Sequence, residues 1–200
     1  MSFYDCLKLT EEPLIELKNW IDEANTNGAP LPHAMNLATV DKTGRPSARM
    51  VLMKSLSDEG LVFFTDYSSQ KGRHLAENSF SSCTFWWPST DKQIRIDGEC
   101  SKVPDLDSDR YFESRPLGSQ ISAIISRQSS EIQTYEELVQ DSKKFKEKNN
   151  EVKLNRPERW GGYLLRPFRI EFWENQSNRL HKRKLYQLDS HKWKKSLLSP

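Results

Sequence analysis

The sequence predicts a mainly β fold with added helices, an antiparallel barrel that is closed or half closed. Three observations carry this. At least six strand-like segments are joined by hairpin-type turns. The helical patterns come as insertions before, between and after them. Successive βα units with glycine-rich turns are missing, which excludes a dinucleotide-binding α/β sheet. Strands of this number have to close on themselves or pair off their edges.

The first element is an amphipathic helix over residues 10–25. Thr10 is placed to cap it, Glu11 and Glu12 suit its positive end, and Pro13 fits the first turn. Leu14, Leu17, Trp20, Ile21 and Ala24 form its apolar face. Strands are expected over 34–40 and 46–54, joined by a turn in which Gly44 takes a positive φ. A strand over 61–65 follows the turn at 57–60. Ser68 or Ser69 caps a helix running to Asn78. Strands over 81–87 and 93–103 come next, then helices over 105–114, 119–126 and 132–148. Residues 155–159 read as a linker, and 162–198 returns to strands with turns near 175–178 and 189–190. The chain is read as one domain, residues 1–200, with an N-terminal helical part (1–28) and a C-terminal segment (160–200).

Hydrophobic residues at 36% and charged residues at 29%, with nine Phe, six Tyr and six Trp, describe a chain able to bury a core. The net charge of +2 gives no reason to expect nucleic acid. No apolar run reaches bilayer length and no secretory leader is visible, so no membrane partner is expected. Cys6, Cys83 and Cys100 form no CxxC pair, which disfavours a disulfide frame and a zinc site and suits the reducing cytoplasm. Hydrolase motifs are absent, and no metal is expected.

The remaining polar chemistry is cationic and hydroxylic, which suits phosphate. Arg49 and Lys54 flank an apolar strand, yet their opposite parity forbids one regular strand from aiming both into one pocket. A bulge, or a pocket wrapped around the strand end, resolves this. Thr65, Ser68, Ser69, Gln70 and Lys71 bring hydroxyls, free N–H groups and a cation to a helix N-terminus; ordinary capping is the alternative. Tyr111 and Arg115 lie four apart, with Ser119 placed to cap the next helix. They suit a second phosphate, or Arg115 caps helix carbonyls. Gln93, Gln128 and Ser129 are neutral groups able to read the edge of a planar ring. If residues 179–183 are extended, Arg179, His181 and Arg183 share one face and call for an anion, while Lys182 points away. A solvated basic edge strand is the alternative.

RMVLMK (49–54), FFT (63–65), SQKGRHLAEN (69–78), QIRIDG (93–98), YFESRPLGSQISAIISRQSS (111–130), WGGY (160–163), IEFW (170–173) and RLHKR (179–183) occur in this order. With them the chain resembles the pyridoxamine 5'-phosphate oxidase family. The resemblance implies an FMN-binding split β-barrel homodimer, with residues 160–200 serving dimerisation and substrate. It implies FMN contacts from Arg49, Met50, Val51, Leu52, Met53, Lys54, Phe64, Thr65, Gln70, Lys71, Gln93, Gln128, Ser129, Trp173 and Arg183, some supplied by the partner chain. It implies substrate contacts from Lys54, Tyr111, Arg115, Ser119, Arg179 and His181, the last two being the catalytic pair.

The implied reaction is oxidation of pyridoxamine or pyridoxine 5'-phosphate to pyridoxal 5'-phosphate, by hydride transfer from C4' to flavin, with O2 reduced to H2O2. Arg179 and His181 then orient the substrate, without a dedicated strong base. Three departures stand out. Gln70 replaces the family's usual Arg, Lys182 replaces its Asp, and only Tyr4 and Lys8 remain of its basic N-terminal arm. Gln70 also fits the related phenazine-biosynthesis oxidases, and a non-catalytic flavin or pyridoxal phosphate binder is a further alternative.

Overall fold

The computed structural model of the chain describes residues 5–149 and 152–200, which leaves Tyr4 outside the described residues. Helix α1 (Glu12–Thr26) buries Leu14, Leu17, Ile21 and Ala24, the apolar face the spacing predicts. Its cap differs from expectation. Thr10 donates from its hydroxyl (2.6 Å) and its backbone N–H to Asp58, which also accepts from Glu11 N. The orphan N–H groups at this helix start are therefore satisfied by a carboxylate 48 residues away in sequence.

Strands β1 (Asp5–Cys6), β2 (Ala34–Val40), β3 (Pro46–Leu52), β4 (Ser55–Ser57) and β5 (Gly60–Asp66) lead to helix α2 (Gln70–Glu77). Strands β6 (Phe80–Trp87) and β7 (Lys92–Lys102) precede helices α3 (Asp105–Ser114), α4 (Leu117–Ile125) and α5 (Tyr135–Lys148). Strands β8 (Trp160–Glu174), β9 (Lys182–Asp189) and β10 (Lys192–Leu198) complete the fold. Two helix starts shift from expectation. Helix α4 begins at Leu117 after Pro116, so Ser119 lies inside the first turn and does not cap it. Helix α5 begins at Tyr135 because Thr134 accepts from Glu137 N.

The strands form one ten-stranded sheet in the order β1-β4-β5-β8-β7-β6-β2-β3, with β9 pairing both β8 and β10. All pairs are antiparallel except β1 with β4. Strands β3 and β4 stand near opposite ends of that order, yet only Met53 and Lys54 separate them in the chain. The sheet must therefore curl until its ends meet, and Lys54 N donates to Val62 O of β5 at the junction (2.7 Å). Inside the curl, the apolar face of α1 joins Met35, Leu37, Phe85, Phe172 and Tyr186 in one core cluster. A second cluster of Phe112, Ile121, Leu154 and Trp160 fastens α3 and α4 to the start of β8.

Candidate functional site

The curl decides how Arg49 and Lys54 are presented. Strand β3 ends at Leu52, Met53 turns wholly into the core, and Lys54 emerges beyond the strand end. The pocket thus wraps the strand end, and no bulge is needed. The Met53 side chain is buried in the core and does not line the cleft described next.

A cleft of about 250 Å³ opens there, lined by Met50, Val51, Leu52, Lys54, Phe64, Thr65, Lys71, Tyr111, Arg115, Gln128 and Trp160. One wall is the turn from β5 into α2. Ser69 caps α2 by accepting from Gly72 N. Lys71 Nζ donates to Thr65 Oγ1 (3.1 Å) and to Gln128 Oε1 (2.7 Å). Burial, then the nearby Arg49 charge, lowers the Lys71 ammonium to about 8. Arg49 donates to Thr39 Oγ1 (2.7 Å) and Ser47 Oγ (2.9 Å), while Gln70 accepts from Ser47 (3.1 Å).

The opposite wall is aromatic and basic. Tyr111 stacks on Phe64 with centroids 3.9 Å apart and lies nearly parallel to Trp160. The Arg115 guanidinium sits 4.6 Å over the Trp160 ring, and its Nη1 is buried without a hydrogen-bond partner. Arg115 therefore does not spend its donors on helix carbonyls. Burial lowers the basicity of both Arg115 and Lys54, the latter further through Arg115. Among the described residues, none of Arg49, Lys54, Lys71 and Arg115 has a carboxylate within ion-pair distance. Ser119 and Ser129 do not line this cleft; Ser129 has a positive φ of 70° in the loop that delivers Gln128.

The other predicted residues gather elsewhere. Gln93, Trp173 and Arg183 stand in one cross-strand row, paired in register across β7, β8 and β9. The His181 ring lies 4.6 Å from that of Trp173. Gln176 N–H donates to His181 Nδ1 (3.3 Å), which leaves the ring proton on Nε2. His181 and Arg183 line a second cleft of about 540 Å³ with Trp20, Phe172 and Leu180.

The expected extended run does not hold over residues 179–183. Ser177–Arg179 forms a 3-10 turn, with positive φ at Asn178 and at the exposed Arg179. Strict alternation begins only at Lys182, where β9 starts. Lys182 does turn away from Arg183: it pairs in register with Glu174, 3.6 Å from its carboxylate, while Arg183 pairs with Trp173 on the other face.

One strand keeps the two groups apart. Trp160, in the first cleft, opens β8, and Trp173, in the second row, nearly closes it. The 15 residues of β8 span roughly 50 Å along the strand at ~3.3 Å each. His181 and Arg183 thus line a different cleft of this chain from Lys54, Lys71 and Arg115.

Sequence reasoning missed four residues that hold these groups in place. Asp66 accepts from Ser68 N and Oγ and pairs with Arg159 at 3.1 Å. Arg159 in turn donates to the carbonyls of Ala123, Ile124 and Ser126, tying the Gln128 loop to the α2 cradle. Trp160 carries Arg115. Glu171, 2% exposed, binds Arg183. Trp160 and Glu171 stood within WGGY and IEFW, but nothing local says what they touch. No group of three or more His, Cys, Asp or Glu among the described residues is placed to hold a metal ion.

Comparison with known proteins identifies the family. The family model described as pyridoxamine 5'-phosphate oxidase matches residues 21–149, and that of the pyridoxine 5'-phosphate oxidase C-terminal dimerisation region matches 160–200. The chain is 44% identical over 195 residues to the pyridoxine/pyridoxamine 5'-phosphate oxidase of Nostoc punctiforme, covering 97% of this chain and 91% of that one. It is 40% identical over 200 residues to that of Haemophilus influenzae strain KW20 / Rd, covering 100% and 93%. Among solved structures, PhzG from Burkholderia lata 383, in complex with tetrahydrophenazine-1-carboxylic acid, superposes with a TM-score of 0.90 at 34% identity, covering 96% and 94%. The chain belongs to the pyridoxine/pyridoxamine 5'-phosphate oxidase family, with its FMN-binding split-barrel fold.

Proposed function

We propose that this chain oxidises pyridoxamine and pyridoxine 5'-phosphate to pyridoxal 5'-phosphate with FMN and O2, releasing H2O2, at two equivalent sites each built from two copies of the chain. The amine substrate also takes up water and releases ammonia. One observation carries the reading. Lys54, Lys71 and Arg115 line a single cleft with Arg49 close by, and among the described residues none has a carboxylate within ion-pair distance. Arg115 Nη1 is orphaned as well. One buried and three half-buried cations gathered in one place call for anions, and a phosphorylated cofactor beside a phosphorylated substrate supplies two.

Lys71, Arg49, Thr65 and the N-terminus of α2 would hold the FMN phosphate. Lys54, Arg115 and Tyr111, with Ser119 one turn further along α4, would hold that of the substrate. FMN, when bound, supplies the two-electron acceptor and its reactivity with O2. The chain's own residues bind, orient and compensate charge. His181 Nε2–H, set by Gln176 and Trp173, and Arg179 would serve the substrate ring from the second copy, and Gln93, Trp173 and Arg183 would help hold the flavin. Their work is alignment of the reacting carbon rather than strong-base catalysis.

The free thiols of Cys6, Cys83 and Cys100, two of them buried, fit a reducing cytoplasm. No helix among the described residues is long and apolar enough to cross a membrane.

The likeness to PhzG favours a second reading, oxidation of a planar carboxylated substrate. Substrate phosphate separates the two. Purified protein with FMN should show a flavin spectrum and release peroxide with pyridoxamine phosphate, and Arg115→Met should raise KM for that substrate at least about tenfold. No turnover, or an unchanged KM, counts against the vitamin B6 substrate.

A further inference from the structure

Glu171 is almost wholly buried, on a sheet face crowded with guanidinium groups. Its Oε1 accepts from Arg183 Nε and lies 2.8 Å from Nη2 as well. Its Oε2 lies 3.6 Å from both Arg95 and Arg169, and Arg169 is tied to Asp97 at 2.9 Å. Glu171 and Trp173 stand two positions apart along β8, so both side chains lie on one face, beside the row of Gln93, Trp173 and Arg183. The remaining Arg183 nitrogen, Nη1, donates to Ser199 O (2.9 Å).

An arginine has four rotatable side-chain bonds, and two of its nitrogens held on one buried carboxylate oxygen fix the plane of its head group. Arg95 and Arg169 are spectators of that contact, since neither comes within hydrogen-bond reach of Glu171. Among the described residues, Arg183 is the one hydrogen-bond donor to the buried carboxylate. Without it, three guanidinium groups share a face with only Asp97 left to offset them.

We propose that Glu171 is a positioning residue, which sets the guanidinium of Arg183 in the single orientation that meets the flavin. The proposal rests on the reading of the cleft as a flavin site and adds a residue that never touches the cofactor. Its test is a double-mutant cycle on FMN affinity, read by quenching of flavin fluorescence in wild type, Glu171→Gln, Arg183→Gln and the double variant. Glu171→Gln should weaken FMN about tenfold in the presence of Arg183 and less than about twofold in the Arg183→Gln background. Glu171→Asp, which keeps the charge, should fall between wild type and Glu171→Gln.

Equal weakening in both backgrounds marks a merely structural carboxylate and overturns the proposal, as does no weakening at all. Should Glu171→Gln fail to fold, the cycle run with Glu171→Asp must show the same non-additivity, and additivity there overturns it. A wild-type protein that binds no FMN overturns instead the reading on which the proposal rests.

Discussion

Burial and the neighbouring Arg49 hold the Lys71 ammonium down to about 8, against a smaller opposing pull from Asp66. In the free protein it therefore loses its proton as pH rises through 8. A bound phosphate favours the charged form and raises that value, so binding takes up a proton between pH 8 and the raised value, and none well below 8. Calorimetry at pH 8.5 in two buffers of different ionisation enthalpy should show uptake of a large fraction of a proton on FMN binding. Lys71→Met should abolish the uptake and weaken binding by about 1.5–3 kcal/mol. Gln70 faces Ser47 beside Arg49, so Gln70→Arg should add a cation there and tighten FMN several-fold; unchanged affinity would count against a phosphate at this spot. The cations themselves were legible in the sequence, because charge and spacing mark them. Their supports were not. Asp66, Arg159 and Glu171 act through contacts between strands far apart in the chain, and Met53 is removed from the cleft only by the turn after β3.

At the scale of elements, close approach outweighs propensity. Alanine normally stabilises a helix relative to glycine by about 1 kcal/mol. In α2 a Cβ on Gly72 would stand 2.2 Å from the backbone oxygen of Tyr67. Gly72→Ala should therefore destabilise by about 1–3 kcal/mol, read as a lowered urea midpoint, and a gain in stability would contradict the packing described. Asp58→Ala removes the three donors' acceptor at the start of α1 and should cost about 1–2 kcal/mol by the same measurement. Most strands and helices were legible from periodicity and turn residues. The α1 cap was not, because its carboxylate comes from the turn before β5. The 3-10 turn at Ser177–Arg179 was not legible either, because its two positive φ values fall on Asn and Arg with no glycine to announce them.

In the whole molecule, the curl of the sheet makes one cleft and the length of β8 separates it from the Gln93, Trp173 and Arg183 row. An antiparallel barrel could be foreseen from the hairpins, but the meeting of β3 and β4 depends on strand order, which no local pattern encodes. β3 carries no fully buried residue, and Met50, Leu180 and Leu197 remain exposed beside the two clefts, as suits surfaces that a second copy covers.

The shared site is tested most directly by mixing two disabled copies. One carries Lys54→Met and Arg115→Met, the other Arg179→Met and His181→Asn. Random reassociation makes about half the dimers mixed, each with one intact site and one carrying every lesion. Turnover of pyridoxamine phosphate in the mixture should then recover to about a quarter of wild type. A mixture no more active than its two parents, with mixed dimers shown to form, would contradict a site assembled from two chains.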